Sequence, residues 1–350
     1  MSEFKIDVIV GLQSGDEGKG KVTHHLLKTK KYTHCVRYNG GGNAGHTIYH
    51  DGKKFVTHYI PAGVFFGVKS IIGPGCVVNL NKFFEELEYL NKNGVDTEGL
   101  VYISNNTHIT TEAHVKEDSK DEDIGTTKTG NGPTYRDKYC RKGIRAESLD
   151  SLRPYLLDFY AEFHECEGDI VALFEGAQGF ELDVDWGDYP YVTSSHCTTA
   201  GALLNGIPPQ AINKVWGVAK AYETYVGAKK FEPDSEVFDA LRNLGSEYGA
   251  TTGRPRQCNW MDVQKLKRSC CVNGARCVVI NKMDILRALG KWTLRDGHDL
   301  VELETEEAFQ HYIMTTIPGV EIYFSDTPHG FDNSYNIAGG EPLKYLKKYY

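Results

Sequence analysis

The residues with the clearest chemical potential lie in a glycine-rich stretch, GLQSGDEGKGK, at positions 11–21. Glycines let backbone N–H groups approach a ligand closely and the lysines add positive charge, so phosphate is the first ligand to consider. The stretch does not match the P-loop pattern G-x-x-x-x-G-K-[ST], because Gln13 stands at the first glycine position and Gly20 follows Lys19 where a hydroxyl is required. The sequence therefore predicts an anion-binding loop that is not a Walker A motif.

Two further glycine-rich segments follow apolar runs. The first, RYNGGGNAGHT at 37–47, carries His46, which the glycine-rich turn favours as a general acid or phosphate contact over a merely hydrogen-bonded histidine. The second, FEGAQGFELDVDWGDYPYVTSS at 174–195, delivers Gln178 to the end of a predicted strand. An amide there offers a donor and an acceptor together, which suits the edge of a purine base.

A short motif, NKMD at 281–284, ends another buried strand. In GTP-binding switches the pattern N-K-x-D reads guanine, because the Asp carboxylate accepts hydrogen bonds from N1–H and the 2-amino group. Four residues match such a pattern by chance often, but the position after a strand strengthens the interpretation. The motif indicates a nucleotide site that includes Asp284.

Two loops rich in polar residues complete the set. EYGATTGRPRQCNW at 247–260 gathers threonines and arginines, whose fork-shaped donors suit carboxylate and phosphate, and this favours an anion site over a solvated turn. The segment 116–138 is charged and almost free of aliphatic residues, as in a solvated linker. Its GTTKTGNGP stretch also offers hydroxyl and backbone donors at close quarters, which is typical of an anion-binding loop.

Short apolar, β-branched runs precede most of these motifs and predict strands. Between them lie stretches whose apolar residues recur three and four positions apart, as in an amphipathic helix. Strands that alternate with helices predict an α/β fold with a mainly parallel central sheet and crossover helices. The predicted strands are Ile6–Gly11, His34–Tyr38, Ser70–Ile72, Cys76–Val78, Ile170–Phe174, Val215–Ala219, Arg276–Ile280 and Glu321–Phe324, and the predicted helices are 80–94, 151–168 and 262–275.

The composition limits the class of protein. With 350 residues and 40% hydrophobic content, the chain is long enough for one large α/β domain or two smaller ones. A net charge of −8 argues against a polyanion-binding surface, so no nucleic-acid partner is expected. Neither a signal peptide nor an apolar stretch of roughly 18 residues is found, so we expect no membrane partner and a cytoplasmic location. Nine cysteines without a CxxC pair predict reduced thiols rather than disulfides or a zinc site.

Taken in order, the motifs resemble adenylosuccinate synthetase, the family that joins L-aspartate to IMP with GTP. Seven blocks carry the resemblance across most of the chain, and their shared order is far more specific than any one of them. The resemblance implies a single α/β domain over residues 1–350, built around a mainly parallel sheet and working as a homodimer. The blocks are GDEGKGK, NGGGNAGHT, IGTTKTGNGP, FEGAQG, YPYVTSS, YGATTGR and NKMD.

The resemblance also implies catalytic roles. Asp16 would be the catalytic base and a ligand of Mg²⁺, since removing N1–H makes the 6-oxygen nucleophilic toward the γ-phosphoryl group. His46 would donate to that oxygen as general acid. Lys19 and Mg²⁺ would neutralise developing charge, and the backbone carbonyl of Gly45 would help to hold the metal.

Binding roles follow in the same way. The purine nucleotide would be bound by Asn43, Thr127, Gln178 and Thr193, with Arg141 reaching its 5′-phosphate from the other subunit. L-aspartate would be bound by Thr251, Thr252 and Arg254. The phosphoryl donor, ATP or GTP, would be bound by Gly15, Gly18, Gly20, Lys21, Thr47, Arg256, Lys282, Asp284 and Ser325.

Three departures from the family pattern bear on the substrates. Ser14 stands where the family has Trp, the stretch PRQCNW has less arginine and glycine than usual, and residues 325–328 replace a Ser-Thr-Gly-Pro block. With these departures the chain resembles the phage branch of the family, which makes 2-amino-2′-deoxyadenylosuccinate from dGMP and tends to use adenine nucleotides. A phage enzyme would be located in the host cytoplasm. We therefore expect dGMP over IMP, with the ordinary IMP and GTP enzyme as the alternative. A GTP-binding switch without ligase chemistry is an alternative of another class, disfavoured by the missing P-loop.

Overall fold

A computed structural model describes residues 4–121, 123–249 and 253–327. Its strands are short and mostly follow the predicted apolar runs. In chain order they are β1 (Phe4–Gly11), β2 (His34–Arg37), β3 (His46–His50), β4 (Lys53–Thr57), β5 (Lys69–Ile72), β6 (Val77–Val78), β7 (Val101–Ser104), β8 (His108–Ile109), β9 (Leu156–Leu157), β10 (Ile170–Glu175), β11 (Ile212–Lys220), β12 (Tyr222–Tyr225), β13 (Gln257–Trp260), β14 (Cys277–Asn281), β15 (Trp292–Asp296), β16 (Asp299–Leu303) and β17 (Glu321–Phe324).

The helices separate these strands, and polar side chains cap several of them. Asn79, Asp262 and Thr305 each accept a hydrogen bond from a backbone N–H of the first turn that they precede. The α-helices are α1 (Lys19–Thr29), α2 (Leu80–Lys92), α3 (Glu112–Asp118), α4 (Asn131–Tyr139), α5 (Thr199–Leu203), α6 (Glu236–Gly245), α7 (Val263–Asn273), α8 (Met283–Leu289) and α9 (Glu306–Thr316). Single 3₁₀ turns span Ala62–Phe66, Ala146–Ser148, Asp150–Tyr155, Phe180–Leu182 and Pro209–Ala211, and a π turn spans Ala161–Glu165.

Nine of the strands form one sheet in the order β17-β14-β11-β1-β10-β2-β5-β7-β9, with every neighbouring pair parallel. The predicted α/β class with a parallel central sheet is therefore confirmed. β1 is buried on both faces: Ile6, Val8 and Val10 pack into the hydrophobic cluster on one side, and Ile9 packs into that on the other. Burial on both faces explains why the parallel strands read as continuous apolar runs.

The prediction of one helix over 151–168 is wrong. Residues 150–155 form a 3₁₀ turn that contains Pro154, and the chain then extends into β9 at the edge of the sheet. Proline lacks the N–H that an inner helical turn requires, and the backbone N–H of Asn105 bonds instead to the Leu157 carbonyl at 3.0 Å. The run at 76–78 also differs from expectation, since β6 pairs with β8 outside the central sheet.

The parallel arrangement gathers the motifs at one edge. β1, β2, β10, β11, β14 and β17 all end at the same side of the sheet, and the glycine-rich stretches, the NKMD motif and Ser325 follow directly after their last residues. Ligands of open α/β sheets bind at this carboxyl edge. Among the helices within the described ranges, none has the length and apolar character needed to cross a membrane. That the single domain extends over residues 1–350 stays a prediction.

Candidate active site

A cleft of about 830 Å³ opens along the carboxyl edge of the sheet. Its walls come from at least eight separate stretches of chain, so no single motif forms it. A Cβ added to Gly20 would lie 3.1 Å from the Cβ of His46, which shows how closely the first two glycine-rich segments approach. The predicted site residues that line the cleft are Gly15, Asp16, Gly18, Lys19, Gly20, Lys21, Asn43, Gly45, His46, Thr47, Thr127, Gln178, Thr193, Arg254, Arg256, Lys282 and Asp284.

The backbone N–H groups of the first glycine-rich loop donate to a carboxylate of the same loop, that of Glu17. Glu17 is buried and accepts hydrogen bonds from the backbone N–H groups of Gly15 at 2.8 Å and Gln13 at 3.2 Å. Its other oxygen lies 2.6 Å from Lys19 Nζ, which also donates to the Gln178 carbonyl. In a P-loop such donors face phosphate, whereas here they face Glu17. The donors of the loop are therefore directed at a side chain of the loop itself.

Asp16 sits at the tip of this loop with φ of 59° and a partly exposed carboxylate. Its Oδ2 lies 2.8 Å from Arg256 Nε, and Arg256 Nη1 donates to Glu247 Oε2 at 2.5 Å. Glu247 also accepts from Tyr222 OH at 2.5 Å and Lys220 Nζ at 3.2 Å. Burial alone would raise the pKa of Glu247, but Lys220 and Arg256 lower it to about 2. The ionised Glu247 thus fixes the arginine that faces Asp16.

His46 is held in a buried ionic cluster. Its Nδ1 is hydrogen-bonded to Glu175 Oε1, and Arg37 donates to the same oxygen at 3.0 Å and contacts both ring nitrogens at 3.3 and 3.4 Å. Burial and the charge of Arg37 lower the pKa of His46 to about 4, against the opposing effect of Glu175. His46 is therefore neutral at pH 7, with its Nδ1 proton directed to Glu175 and its orientation set by two buried partners.

A second group of predicted residues meets on the other side of the cleft. Asn43 accepts a hydrogen bond from Gln178 Nε2 at 2.9 Å, and its own amide reaches Thr193 Oγ1 at 3.4 Å. The Oε1 atom of Gln178 is buried without a hydrogen-bond partner. An unpartnered buried acceptor in a cleft is costly unless a ligand supplies a donor. Three of the residues predicted to bind the purine nucleotide, Asn43, Gln178 and Thr193, are thus in contact, and the Gln178 acceptor has no partner.

The NKMD motif meets the last described strand around Lys21. Lys21 Nζ donates to Asn281 Oδ1 at 2.9 Å, to Ser325 Oγ and to the Thr327 carbonyl at 2.6 Å. Burial lowers the pKa of Lys21 to about 8, although Asp284 opposes this. Asn281 in turn donates to the Glu17 carbonyl at 2.7 Å, which ties this end of the cleft to the first loop.

Some predicted residues lie elsewhere. Arg141 is exposed near the end of α4, with φ of 62°, and does not line the cleft. Thr251 and Thr252 lie outside the described residues, whereas Arg254 Nη1 contacts the Gly125 carbonyl at 3.4 Å. Ser14 is buried and lines the cleft, so it is not a surface residue.

Sequence reasoning missed the buried charges that support the site. Glu17, Arg37, Glu175, Lys220 and Glu247 are each at most 2% exposed, and each contacts another charged or catalytic candidate. A signal was present in Arg37, Glu175 and Lys220, because a charged residue at the end of a buried parallel strand needs a partner. The identity of each partner depends on tertiary contacts and was not readable from spacing.

Residues 8–156 and 146–315 match the family model of adenylosuccinate synthetase. The chain belongs to this family. The adenylosuccinate synthetase of Salinibacter ruber is 39% identical over an alignment of 348 positions, which covers 81% of this chain and 78% of that protein. The Chlorobium limicola adenylosuccinate synthetase is 41% identical over an alignment of 335 positions, which covers 80% of this chain and 76% of that protein. Members of the family are ligases that form C–N bonds, and this chain is such a nucleotide-dependent ligase, with L-aspartate and a purine nucleoside monophosphate as the substrate classes.

Two solved structures extend the comparison. Fully ligated adenylosuccinate synthetase of Plasmodium falciparum matches with a TM-score of 0.81 and 29% identity, over 91% of this chain and 97% of that one. The succinoaminodeoxyadenylate synthetase of cyanophage S-2L, bound to dGMP and to dATP as an energy donor, matches with a TM-score of 0.73 over 93% of each chain. At 21% identity, the likeness to the phage enzyme concerns the fold alone.

The cleft also fits the magnesium ion of the family. Mg²⁺ prefers hard oxygen ligands and usually keeps waters and substrate phosphates in its coordination shell. Asp16 offers a partly exposed carboxylate, and Gly45 lines the same cleft, where its backbone carbonyl would be the second oxygen donor. These residues would hold the ion, which would supply charge neutralisation at the transferring phosphoryl group.

Proposed function

We propose that this chain is an adenylosuccinate synthetase that joins L-aspartate to IMP with GTP as phosphoryl donor. The observation that carries the proposal is the single cleft that contains Asp16, His46 and the NKMD motif. A base, a proton donor and a guanine-reading carboxylate on one surface are what a coupled phosphorylation and displacement requires. This assignment of residue roles rests on the family motifs and on the contacts described above.

The chemistry has two displacements. In the first, Asp16 takes the N1 proton of the purine, the 6-oxygen attacks the γ-phosphorus, and GDP leaves with the bond between γ-phosphorus and bridging oxygen. In the second, the amine of aspartate attacks C6 and the phosphate departs with the C6–O bond. The negative charge of bound phosphates favours the charged imidazole, so His46 would take a second proton at Nε2 while Nδ1–H stays on Glu175. That Nε2 proton would be donated to the 6-oxygen as charge develops there.

The donor base is proposed to lie against α8. Lys282 adopts a left-handed conformation with φ of 71° at the start of this helix, and Asp284 follows in its first turn, facing the cleft. An ionised Asp284 would accept from N1–H and the 2-amino group of guanine, two donors that adenine lacks. We expect Asp284→Asn to raise the KM for GTP at least tenfold and to narrow the preference over ATP.

The identity of the purine substrate has a second candidate. The curated relatives near 40% identity are adenylosuccinate synthetases and favour IMP over the initially expected dGMP. Ser14 favours dGMP: it is buried in the cleft wall where the family has Trp, and a smaller side chain leaves room for a 2-amino group. Leaving that group without an acceptor would cost about 1–3 kcal/mol.

Steady-state rates decide between these substrates. We expect phosphate release only when aspartate, a 6-oxopurine nucleotide and a nucleoside triphosphate are all present, with kcat/KM highest for IMP and GTP. Rates should be measured with IMP, GMP and dGMP, each with ATP and with GTP, and repeated in Ser14→Trp. If kcat/KM is higher for dGMP than for IMP, and Ser14→Trp reverses this preference, then dGMP rather than IMP is the substrate. GTP hydrolysis without aspartate or purine nucleotide would instead indicate a switch protein.

The remaining binding roles complete the proposal. Arg254, with Thr251 and Thr252, is assigned to L-aspartate, and Thr127 to the purine nucleotide. Arg141 is assigned to the 5′-phosphate in the cleft of a partner subunit, so the working enzyme is a homodimer. Its exposed position outside the cleft of its own chain is compatible with this role.

A further inference from the structure

The stretch PRQCNW, at 255–260, departs from the family pattern. Two of its side chains form hydrogen bonds to residues 226–232, a segment named here the strap. The strap leaves β12 beside the cleft, and Val226 contributes to the cleft wall. It runs to the segment that precedes α6. No side chain of the strap has an assigned role in the reaction.

Gln257 makes four hydrogen bonds to the backbone of the strap. Its Oε1 accepts from the N–H groups of Phe231 at 2.8 Å and Glu232 at 3.2 Å. Its Nε2 donates to the carbonyls of Lys229 at 2.8 Å and Gly227 at 3.3 Å. Both ends of the amide are therefore used, and an arginine at this position could supply the donors but not the acceptor.

Asn259 adds a parallel contact. Its Nδ2 donates to the Phe231 carbonyl at 2.9 Å, and the rings of Phe231 and Tyr225 pack with their centroids 5.7 Å apart. Lys229 stacks over the same two rings. The strap is thus anchored to β13 by two side-chain amides and closed on itself by aromatic packing.

The strap in turn holds the loop that carries Thr127. The N–H of Ala228 donates to the Ile124 carbonyl at 3.3 Å, and the next residue, Gly125, has φ of 74°. A Cβ on Gly125 would lie 3.1 Å from the Ala228 nitrogen, so the two backbones are in direct contact. From the other side, Arg254 reaches the Gly125 carbonyl. Residues 123–129, the nucleotide loop, are therefore held by the strap at Ile124 and by Arg254 at Gly125.

We infer that Gln257 is a positioning residue for the purine nucleotide, acting through the strap on the nucleotide loop. This rests on the proposed role of Thr127, because Gln257 itself does not line the cleft. Loss of the four hydrogen bonds loosens the strap, although Asn259 still holds Phe231, and this weakens the hold on the Ile124 carbonyl and on Thr127. The site for the triphosphate, at the far end around Lys21 and Asp284, is anchored separately through Asn281.

Amide hydrogen exchange tests the physical link without reference to activity. In Gln257→Ala, peptides covering 226–232 and 123–129 should exchange faster, whereas peptides from α2 should not change. Gln264→Ala is the matched control, since Gln264 bonds to Asp296 at 2.7 Å on the exposed side of α7. Faster exchange confined to the strap, with the nucleotide loop unchanged, would overturn the inference.

Kinetics test the consequence. Gln257→Ala should raise the KM for the purine nucleotide about tenfold and leave the KM for GTP within twofold. Ala228→Pro, which removes the N–H that reaches the Ile124 carbonyl and restricts the strap backbone, should reproduce the effect, and the double variant should be no worse than either alone. Equal increases in every KM would mean general destabilisation and would refute the inference. An unchanged KM in Thr127→Ala, with the exchange result as expected, would refute the nucleotide role of Thr127 while keeping the link.

Discussion

The carboxylate of Glu17 and the ammonium group of Lys19 lie 2.6 Å apart inside the glycine-rich loop, both almost completely buried. The Glu17 carboxylate occupies the position at which a P-loop would bind phosphate, and the loop backbone folds around this carboxylate. Because the two buried charges compensate each other, the pair stabilises the loop from within.

Glu17→Gln should destabilise the unliganded protein by about 3 kcal/mol, because it leaves Lys19 buried and without its counter-charge. Urea unfolding of the variant against the wild type measures this. Glu88→Gln is the matched control, since Glu88 pairs with Lys92 at 2.7 Å on an exposed helix face. Equal unfolding midpoints for the two variants would contradict the role given to Glu17.

Glu175→Gln should lower kcat about 100-fold with little change in substrate KM, because His46 loses the carboxylate that orients its ring. The matched control is Glu162→Gln, which breaks a similar contact, 2.8 Å to His34, at the opposite edge of the sheet. Similar losses in both variants would show that Glu175 serves the fold rather than His46.

Asp16→Ala and His46→Ala should each reduce ligation about 10²–10⁴-fold, the usual contribution of one general acid or base. Asp16 is partly exposed, so its removal should leave the fold intact, as circular dichroism can verify. Near-full turnover in both folded variants would exclude the proposed mechanism.

Mixing Asp16→Ala with Arg141→Ala, each inactive alone, should restore activity if Arg141 serves the cleft of the partner subunit. In a hybrid dimer one cleft would combine an intact Asp16 with an intact Arg141 from the other chain. Sedimentation should show dimers under the assay conditions. A monomer, or dimers without recovered activity, would remove Arg141 from the site.

Acidification should lower the free energy of unfolding more in Glu223→Gln than in the wild type. Burial raises the pKa of Glu223 to about 7, so between pH 7 and 4.5 the folded protein binds a proton that the unfolded chain does not, and this stabilises the fold as pH falls. The opposite holds for His46, whose lowered pKa makes the fold lose stability between pH 6.5 and 4. Without Glu223 the free energy of unfolding should fall more steeply from pH 7 to 5. Identical slopes in urea titrations would contradict this.

The sequence predicted the elements that carry strong local signals. The apolar runs ending at Gly11, Tyr38, Phe174 and Ile280 predicted strands whose observed ends lie within one residue, because parallel strands buried on both faces leave an unbroken apolar pattern. The parallel sheet then brought their glycine-rich ends to one edge. This reasoning brought His46, Gln178 and Asp284 to the cleft, whereas the roles of Asp16 and Lys19 came from the resemblance to the family.

What could not be predicted depends on contacts between distant residues. β9 has two residues, and its place at the sheet edge is set by pairing with β7, which no local periodicity encodes. The partners of Glu247 come from β11, β12 and the segment before β13, so the charge that fixes Arg256 appears only after folding. Glu17 was visible in the motif, but its inward direction was not.

The position of β1 at the centre of the sheet affects how the chain folds during synthesis. Its neighbours are β10 and β11, with Phe4 opposite Ile170 and Ile6 opposite Ile212. At translation rates of about 5–20 residues per second, the apolar strand waits roughly 10–40 s for both partners. During this interval its two unpaired edges and apolar faces are exposed on the nascent chain, a state that chaperones bind. β1 therefore completes its pairing only after residues 170–175 and 212–220 have both been synthesised.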